Sequence, residues 1–446
     1  MGYTRSRNNG STIIVRMICA AVFVSFTFLW LYFFQNDLLA VTQHILSQGQ
    51  THYNRLVGAI LITVALQLLQ IGAYMLTGLS RQFHALTYFP SMVALATLSD
   101  IVVDAEGQVS FGGFYWAVIP LLLLWGALVW ALRNLQSYEK EVSVGLFSRC
   151  MWVNLLLMVV VILGAVFVSN TNAVLHYRVH AEMELCRGQV DEALAVGRKS
   201  LETDAHLTML RAYALSRKGE LGERFFQYAI EGDSRCLLPL GGVSRLLVYP
   251  SDSLYAFLGA RPKGQMSVQR YLQLLQERGL ASAAVKDYLL TGWLVDRNLD
   301  AFAQAVGQYY VLQSDSLPRH YREALVLYKH LRSQPVVTYA DAVIDEDYDD
   351  LQALESEYAD ATERQVRVEE KYRGSYWCYY LYQPTPEFLL MACQVQFVVD
   401  NVGPLFLIMA DKYQCLVLPL AESLYHVFHQ SAVLVVQTVQ RLIKYQ

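Results

Sequence analysis

The chain has 446 residues, of which 54% are apolar and 17% charged, with a formal net charge of −4. Charge is depleted relative to a soluble globular domain, so the composition fits a chain that is part membrane-embedded and part soluble. No polybasic patch is present, which argues against nucleic acid as a partner.

Apolar stretches dominate residues 1–169, the expected transmembrane domain. A bilayer core about 30 Å thick needs roughly 20 apolar residues at about 1.5 Å rise each. Segment 13–34 meets that length with Arg16 at its start, and 56–79 meets it with Gln67 and Gln70 but no charge. Segments 114–132 and 151–168 are the cleanest, each bracketed by Trp or Tyr, the rings that prefer the headgroup level. Segment 84–103 is interrupted by Pro90 and Asp100. Asp100 lies within a turn of its end, where a carboxylate costs least, so this stretch is read as a fifth span.

Arg5, Arg7 and Arg16 could form the basic region of a signal peptide. The apolar run is too long for that and no small-x-small site follows Phe34, so an uncleaved first helix is expected. Lys and Arg are retained on the cytoplasmic side of short loops. With the amino terminus inside, the inner segments carry Arg5, Arg7, Arg81, Arg133, Lys140 and Arg149, and the outer loops only Arg55. Five spans place everything after Val168 outside, and losing the third would reverse that. Cys19 and Cys150 fall in or at spans, whereas Cys186, Cys236 and Cys378 fall in the outer region, where a Cys186–Cys236 disulfide could form. Small buried apolar side chains are the favoured reading.

From Ala173 the apolar residues take helical spacing, broken by short turns containing glycine. "HYRVHAEMELCRGQVDEALAVGRKSL" reads as a helix, a turn at Arg187-Gly188, and a second helix opening near Asp191. "LTMLRAYALSRKGELGERFFQYAIEGD" repeats the plan with Lys218-Gly219 at the turn, close to one helical-hairpin period later. Ala181, Ala193 and Ala212 stand where helices would approach closely.

The first of these units resembles a tetratricopeptide repeat: Gly188 matches the turn glycine, Ala181 the small residue of the first helix, and Ala193 the alanine opening the second. The second unit has Arg224 at the alanine position, and neither ends in the usual proline. "YLLTGWLVDRNLDAFAQAVGQYY", turning at Arg297-Asn298, and "LPRHYREALVLYKHL", starting behind Pro318, extend the pattern over 173–331. The layout is also similar to an uncharacterised group of bacterial multi-pass envelope proteins. The resemblance implies a TPR-like domain over 170–335, a solenoid whose concave surface binds protein or peptide partners. It also implies a bacterial inner-membrane location with the repeat domain extracytoplasmic.

An acidic and aromatic helical extension follows at 336–385, then an apolar tail at 386–446. Asp345–Asp350 fails the calcium-loop spacing, because Asp350 stands where the turn glycine belongs and Ser356 where the bidentate Glu belongs. A helix start is expected there. Tyr376, Trp377, Tyr379, Tyr380 and Tyr382 are expected to close the last hydrophobic layer. Segment 388–410 is long enough to span, but Gln394, Gln396, Asp400 and Pro404 favour interfacial or packed amphipathic helices.

Chemical motifs are sparse. His176 and His180 share a helix face, but no Glu follows the first His as the zinc-protease pattern requires; His426 and His429 are a second such pair. No nucleophile elbow, phosphate loop or zinc-spaced Cys pair occurs. No catalytic, cofactor-binding or metal-ligating residue is therefore expected, and the residues singled out are the repeat positions Ala181, Gly188, Ala193, Ala212 and Gly219. The expected fold class is all-α: a multi-pass transmembrane helical bundle followed by a helical-hairpin domain. The expected function is a non-catalytic membrane scaffold. The alternative is a polytopic enzyme or transporter of the glycan or lipid transferase type, for which Asp37 and Asp100 are the isolated acidic candidates.

Overall fold

The computed structural model describes residues 3–383 apart from 104–107, 136–148, 241 and 314–315. The apolar tail, with its possible span at 388–410 and with His426 and His429, lies outside the described residues. The chain is mostly helical and divides into two compact units, residues 1–221 with 235–288, and residues 222–234 with 289–446.

The first unit opens with α1 (Tyr3–Leu29), which widens into a π-helical turn at Trp30–Phe34 before α2 (Asn36–Leu46). It continues with α3 (Arg55–Thr77), α4 (Phe89–Ser99), α5 (Tyr115–Leu135) and α6 (Arg149–Val168). Among the described residues, Ile13–Phe34, Arg55–Thr77, Tyr115–Asn134 and Arg149–Val168 are each long and apolar enough to cross a membrane. Their outward faces stay apolar, with Leu61, Leu68, Leu123, Leu156 and Phe167 exposed. An apolar surface of that extent suits lipid and not water. The Asn54 side chain caps α3 by accepting the N–H groups of Leu56 and Val57, each at 3.1 Å.

The segment expected as a third long span at 84–103 is not one helix. It is a 3-10 helix at Arg81–Tyr88, then the 11-residue α4, then a short antiparallel hairpin of β1 (Ile101–Val103) and β2 (Val109–Phe111). Pro90 explains the restart, since proline suits the first turn of a helix and cannot continue one behind it. The broken piece still runs the length of the bundle. Along it, His84 packs on Tyr74 with ring centroids 5.3 Å apart, Gln70 Nε2 donates to Thr87 Oγ1 at 2.8 Å, and Ser91 Oγ donates to Leu66 O at 2.8 Å. These pairs make it antiparallel to α3. Phe23 against Tyr88 at 4.9 Å and Trp30 Nε1 donating to Ser99 Oγ at 3.1 Å make it parallel to α1. Its 8-residue 3-10 stretch is kinked at Phe83, where φ is −121°, and is followed by the 11 residues of α4.

A broken helix in an apolar bundle must satisfy its freed backbone groups from neighbouring helices. Asn154 of α6, fully buried, does so: its Oδ1 accepts the Ala85 N–H at 2.8 Å and its Nδ2 donates to Gln82 O at 3.1 Å. Trp125 Nε1 of α5 donates to Leu86 O at 2.8 Å. Met92, Leu95 and Ala96 of α4 lie in the buried core with Phe23, Leu66 and Met158. The least apolar of the expected spans thus occupies the centre of the bundle, where helices and not lipid surround it.

Past the bundle, α7 (Ala173–Cys186), α8 (Val190–Ala195) and α9 (Ala205–Lys218) pack on one another, and α7 packs on α2. Asn172 and Asp204 cap α7 and α9 through their side-chain oxygens. Ala181, Ala193 and Ala212 are all buried. Gly188 and Gly219 end α7 and α9 with φ of +77° and +71°, a conformation only glycine adopts freely. The second helices are short: α8 has 6 residues, and α10 (Leu221–Arg224), which from Gly222 on belongs to the second unit, has 4 before a 3-10 turn at Phe225–Gln227. Helices α11 (Ser251–Leu258) and α12 (Val268–Glu277) complete the first unit. Cys186 is exposed and Cys236 buried, and no disulfide joins them.

The second unit takes over within α13 (Val285–Val295) and contains α14 (Leu299–Tyr309), α15 (Arg319–Leu331), α16 (Ala342–Glu357), α17 (Ala361–Tyr372) and α18 (Tyr376–Tyr382). Tyr376, Trp377 and Tyr379 are buried against α15 and the end of α13, where the hydroxyls of Tyr376 and Tyr379 donate to the Leu294 and Val295 carbonyls at 3.2 and 2.8 Å. The acidic run lies inside α16, whose amino terminus is capped by Asp341, and Asp345 pairs with Lys329 at 2.9 Å.

Candidate functional site

One end of the bundle gathers the π-helical turn, the start of α3, the end of α4, the β-hairpin and the exit of α6. Arg55 Nε donates to Tyr32 O at 2.6 Å, and Asn170 ties the exit down, its N–H donating to Ser99 O at 2.8 Å and its Nδ2 to Ile101 O at 2.9 Å. Asp100 closes the hairpin by accepting the Phe114 N–H at 3.0 Å. Its carboxylate is thus engaged by backbone.

On this end lies a cavity of about 570 Å³. Its floor comes from the π-helical turn, a distortion that re-aims side chains and recurs at functional sites. Trp30, Phe34 and Gln35 line it from that turn, Asp37 from α2, and His176 and His180 from α7. His180 Nδ1 donates to Asp37 Oδ2 at 2.9 Å, across 143 residues of sequence. Asp37 Oδ1 in turn accepts Asn36 Nδ2 at 2.9 Å. The hydrogen bond from Asp37 raises the His180 pKa above 6.5, against the opposing effect of burial. His176 Nε2 donates to Asn170 O at 3.1 Å.

A carboxylate that fixes one imidazole nitrogen leaves Nε2 of His180 available for hydrogen bonding or proton transfer. Among the described residues lining the cavity there is no Ser or Cys, and its hydroxyls are those of Thr171 and Tyr177. Sequence reading noted Asp37, His176 and His180 separately but did not join the acid to the histidine. It missed Gln35 entirely, because nothing local marks a glutamine at a span end as buried. Ala181, Gly188, Ala193, Ala212 and Gly219 do not line the cavity.

Two buried carboxylates hold the helical regions together. In the first unit Glu182 of α7 is fully buried and its Oε1 accepts three successive N–H groups, from Leu247, Val248 and Tyr249, at 2.6, 2.7 and 2.9 Å. Burial pushes its pKa up while those three donors pull the other way. In the second unit Glu323 of α15 accepts from Arg319 Nε at 2.8 Å, His320 Nδ1 at 3.0 Å and the Tyr376 N–H at 2.7 Å. Burial opposes its ionisation, but the charges of His320 and Arg319 hold its carboxyl below the ordinary range. Glu323 and His320 are closed to solvent and serve packing. Among the described residues no group of three His, Cys, Asp or Glu side chains is placed to hold a metal ion.

No curated protein and no solved structure matches the chain. The model of a family of unknown function, DUF6057, matches residues 261–383, a stretch that holds the Glu323 network and none of the residues lining the cavity.

Proposed function

We propose that the protein is a non-catalytic membrane scaffold, whose tetratricopeptide-like helical region binds a protein or peptide partner in the envelope of a bacterium. The observation that carries this reading is the direct docking of α7, with α8 and α9 packed behind it, onto α2 at the end of the apolar bundle. Packed helical hairpins are a recurrent partner-recognition surface, and here their first helix is fixed to the anchor. The broken segment at 81–99 supports a fifth crossing, which sets α7 on the side opposite the amino terminus. Together with the concentration of Lys and Arg on the other side, this favours a cytoplasmic amino terminus and an extracytoplasmic helical region.

Topology is tested by fusing a reporter that works only outside the cytoplasm: activity is expected after Leu175 and none after Lys140. Partner binding is tested by crosslinking the full-length protein in its native membrane. A stoichiometric partner should be recovered with wild type and lost when 173–331 is deleted. The Asp37–His180 pair favours a second reading, a polytopic enzyme with an accessory helical region. Asp37→Asn separates the two, since a scaffold keeps its partner and its cellular role with this substitution whereas an enzyme loses the role and keeps the partner.

A further inference from the structure

The cavity at the end of the bundle contains a polar demand that the described chain does not meet. Gln35 is 1% exposed, lines the cavity, and its Oε1 has no hydrogen-bond partner among the described residues. A buried amide oxygen calls for a donor such as a hydroxyl or N–H. His176 Nε2 is committed to the Asn170 carbonyl, and its Nδ1 is left for a group that can both donate and accept. His180, held at Nδ1 by Asp37, has Nε2 left for an oxygen. A hydroxyl both donates and accepts, so a cluster of hydroxyls satisfies all three groups. A phosphodiester offers acceptors alone and leaves the Gln35 oxygen unmet, and a quaternary ammonium offers it no O–H or N–H donor.

The walls point the same way. Trp30, stacked between Phe26 and Phe34, and Tyr177, packed beside Gly197, give the cavity an aromatic wall, the kind of surface on which the C–H groups of a sugar or polyol pack. Phe33 and Phe34, at the end of the first apolar helix, are 61% and 62% exposed and continue onto the apolar outer face of the bundle. A chain attached to the headgroup has an apolar track to follow. The volume of about 570 Å³ is that of an ordinary small-molecule site.

We infer that this cavity binds the hydroxyl-rich headgroup of an amphiphile, with Gln35, His176 and His180 bonding the head and Phe33 and Phe34 flanking the tail. The inference goes beyond the scaffold reading and does not depend on any protein partner. The test uses full-length protein in nanodiscs and radiolabelled octyl glucoside, octyl phosphocholine and octyltrimethylammonium at submicellar concentration, with empty nanodiscs as the partitioning control. Saturable binding of octyl glucoside is expected, about tenfold tighter than the other two amphiphiles. Gln35→Leu should weaken it about tenfold. Ala195→Trp, at an exposed position on the cavity wall, should block it while leaving Gln35 in place. Equal uptake of all three amphiphiles, binding unchanged in both variants, or no saturable binding above empty discs each overturns the inference, the last meaning that trapped water alone satisfies Gln35. Gln35 lies outside the 173–331 region proposed to bind a partner, so partner crosslinking should be unchanged in Gln35→Leu, and failure of one proposal is distinguishable from failure of the other.

Discussion

Replacing Asn154 with Ala should uncouple the broken segment from the bundle. Its bonds to the Cys150 carbonyl and Sγ are dispensable, because both groups sit one turn back in the same helix. The other two matter, since the Ala85 N–H and the Gln82 carbonyl lie where the helix is broken. Each buried backbone group left unpaired costs about 1–3 kcal/mol in water-soluble proteins. Hydrogen bonds between helices in bilayers average nearer 0.6 kcal/mol, roughly 1.7 at most. At the bilayer figures, two such groups place the loss at about 1–3 kcal/mol. The measurement is reversible unfolding of full-length protein in mild detergent by SDS titration. Asn154→Leu keeps the side-chain volume and should cost a comparable amount, which separates lost polar satisfaction from a cavity. Leu156→Ala, on the exposed face of the same helix, is the baseline. If Asn154→Ala falls within about 0.5 kcal/mol of that baseline, the break is held by something other than Asn154 and the reasoning fails.

The Asp37–His180 contact should make the docking of α7 pH-dependent. The folded His180 pKa lies above 6.5, so its stabilising contribution is complete below the unfolded value and is lost as pH rises through the folded one; thermal melts should decline across that window and Asp37→Asn should flatten the decline. Glu323 has the opposite sign: its lowered pKa contributes stability above the ordinary carboxylate range and loses it as pH falls through the folded value. Glu323→Ala, which removes the acceptor of three buried or half-buried donors, should cost about 3–5 kcal/mol in chemical denaturation. Ala193→Trp should overpack the contact of α8 with α7 and α9 by about 1–3 kcal/mol, and unchanged melting and protease resistance would place Ala193 at a yielding site.

What the sequence determined by itself is what depends on neighbours within a few turns. Apolar length fixes the four long helices, Asn172 and Asp204 cap α7 and α9 at the residue before each helix, and Gly188 and Gly219 end them, all through contacts local in the chain. Pro90 likewise announced an interruption. That the interrupted piece still runs the length of the bundle was decided by Asn154 and Trp125, whose bonds to residues 82–86 span |i−j| of 39 to 72. The union of Asp37 with His180, and the burial of Gln35 beside them, required α2 and α7 to meet although 143 positions separate the acid from the histidine. Helical periodicity constrains which face a residue occupies but not which distant face it meets. Those pairings are set by packing of whole helices, and so the candidate site exists only in the tertiary structure.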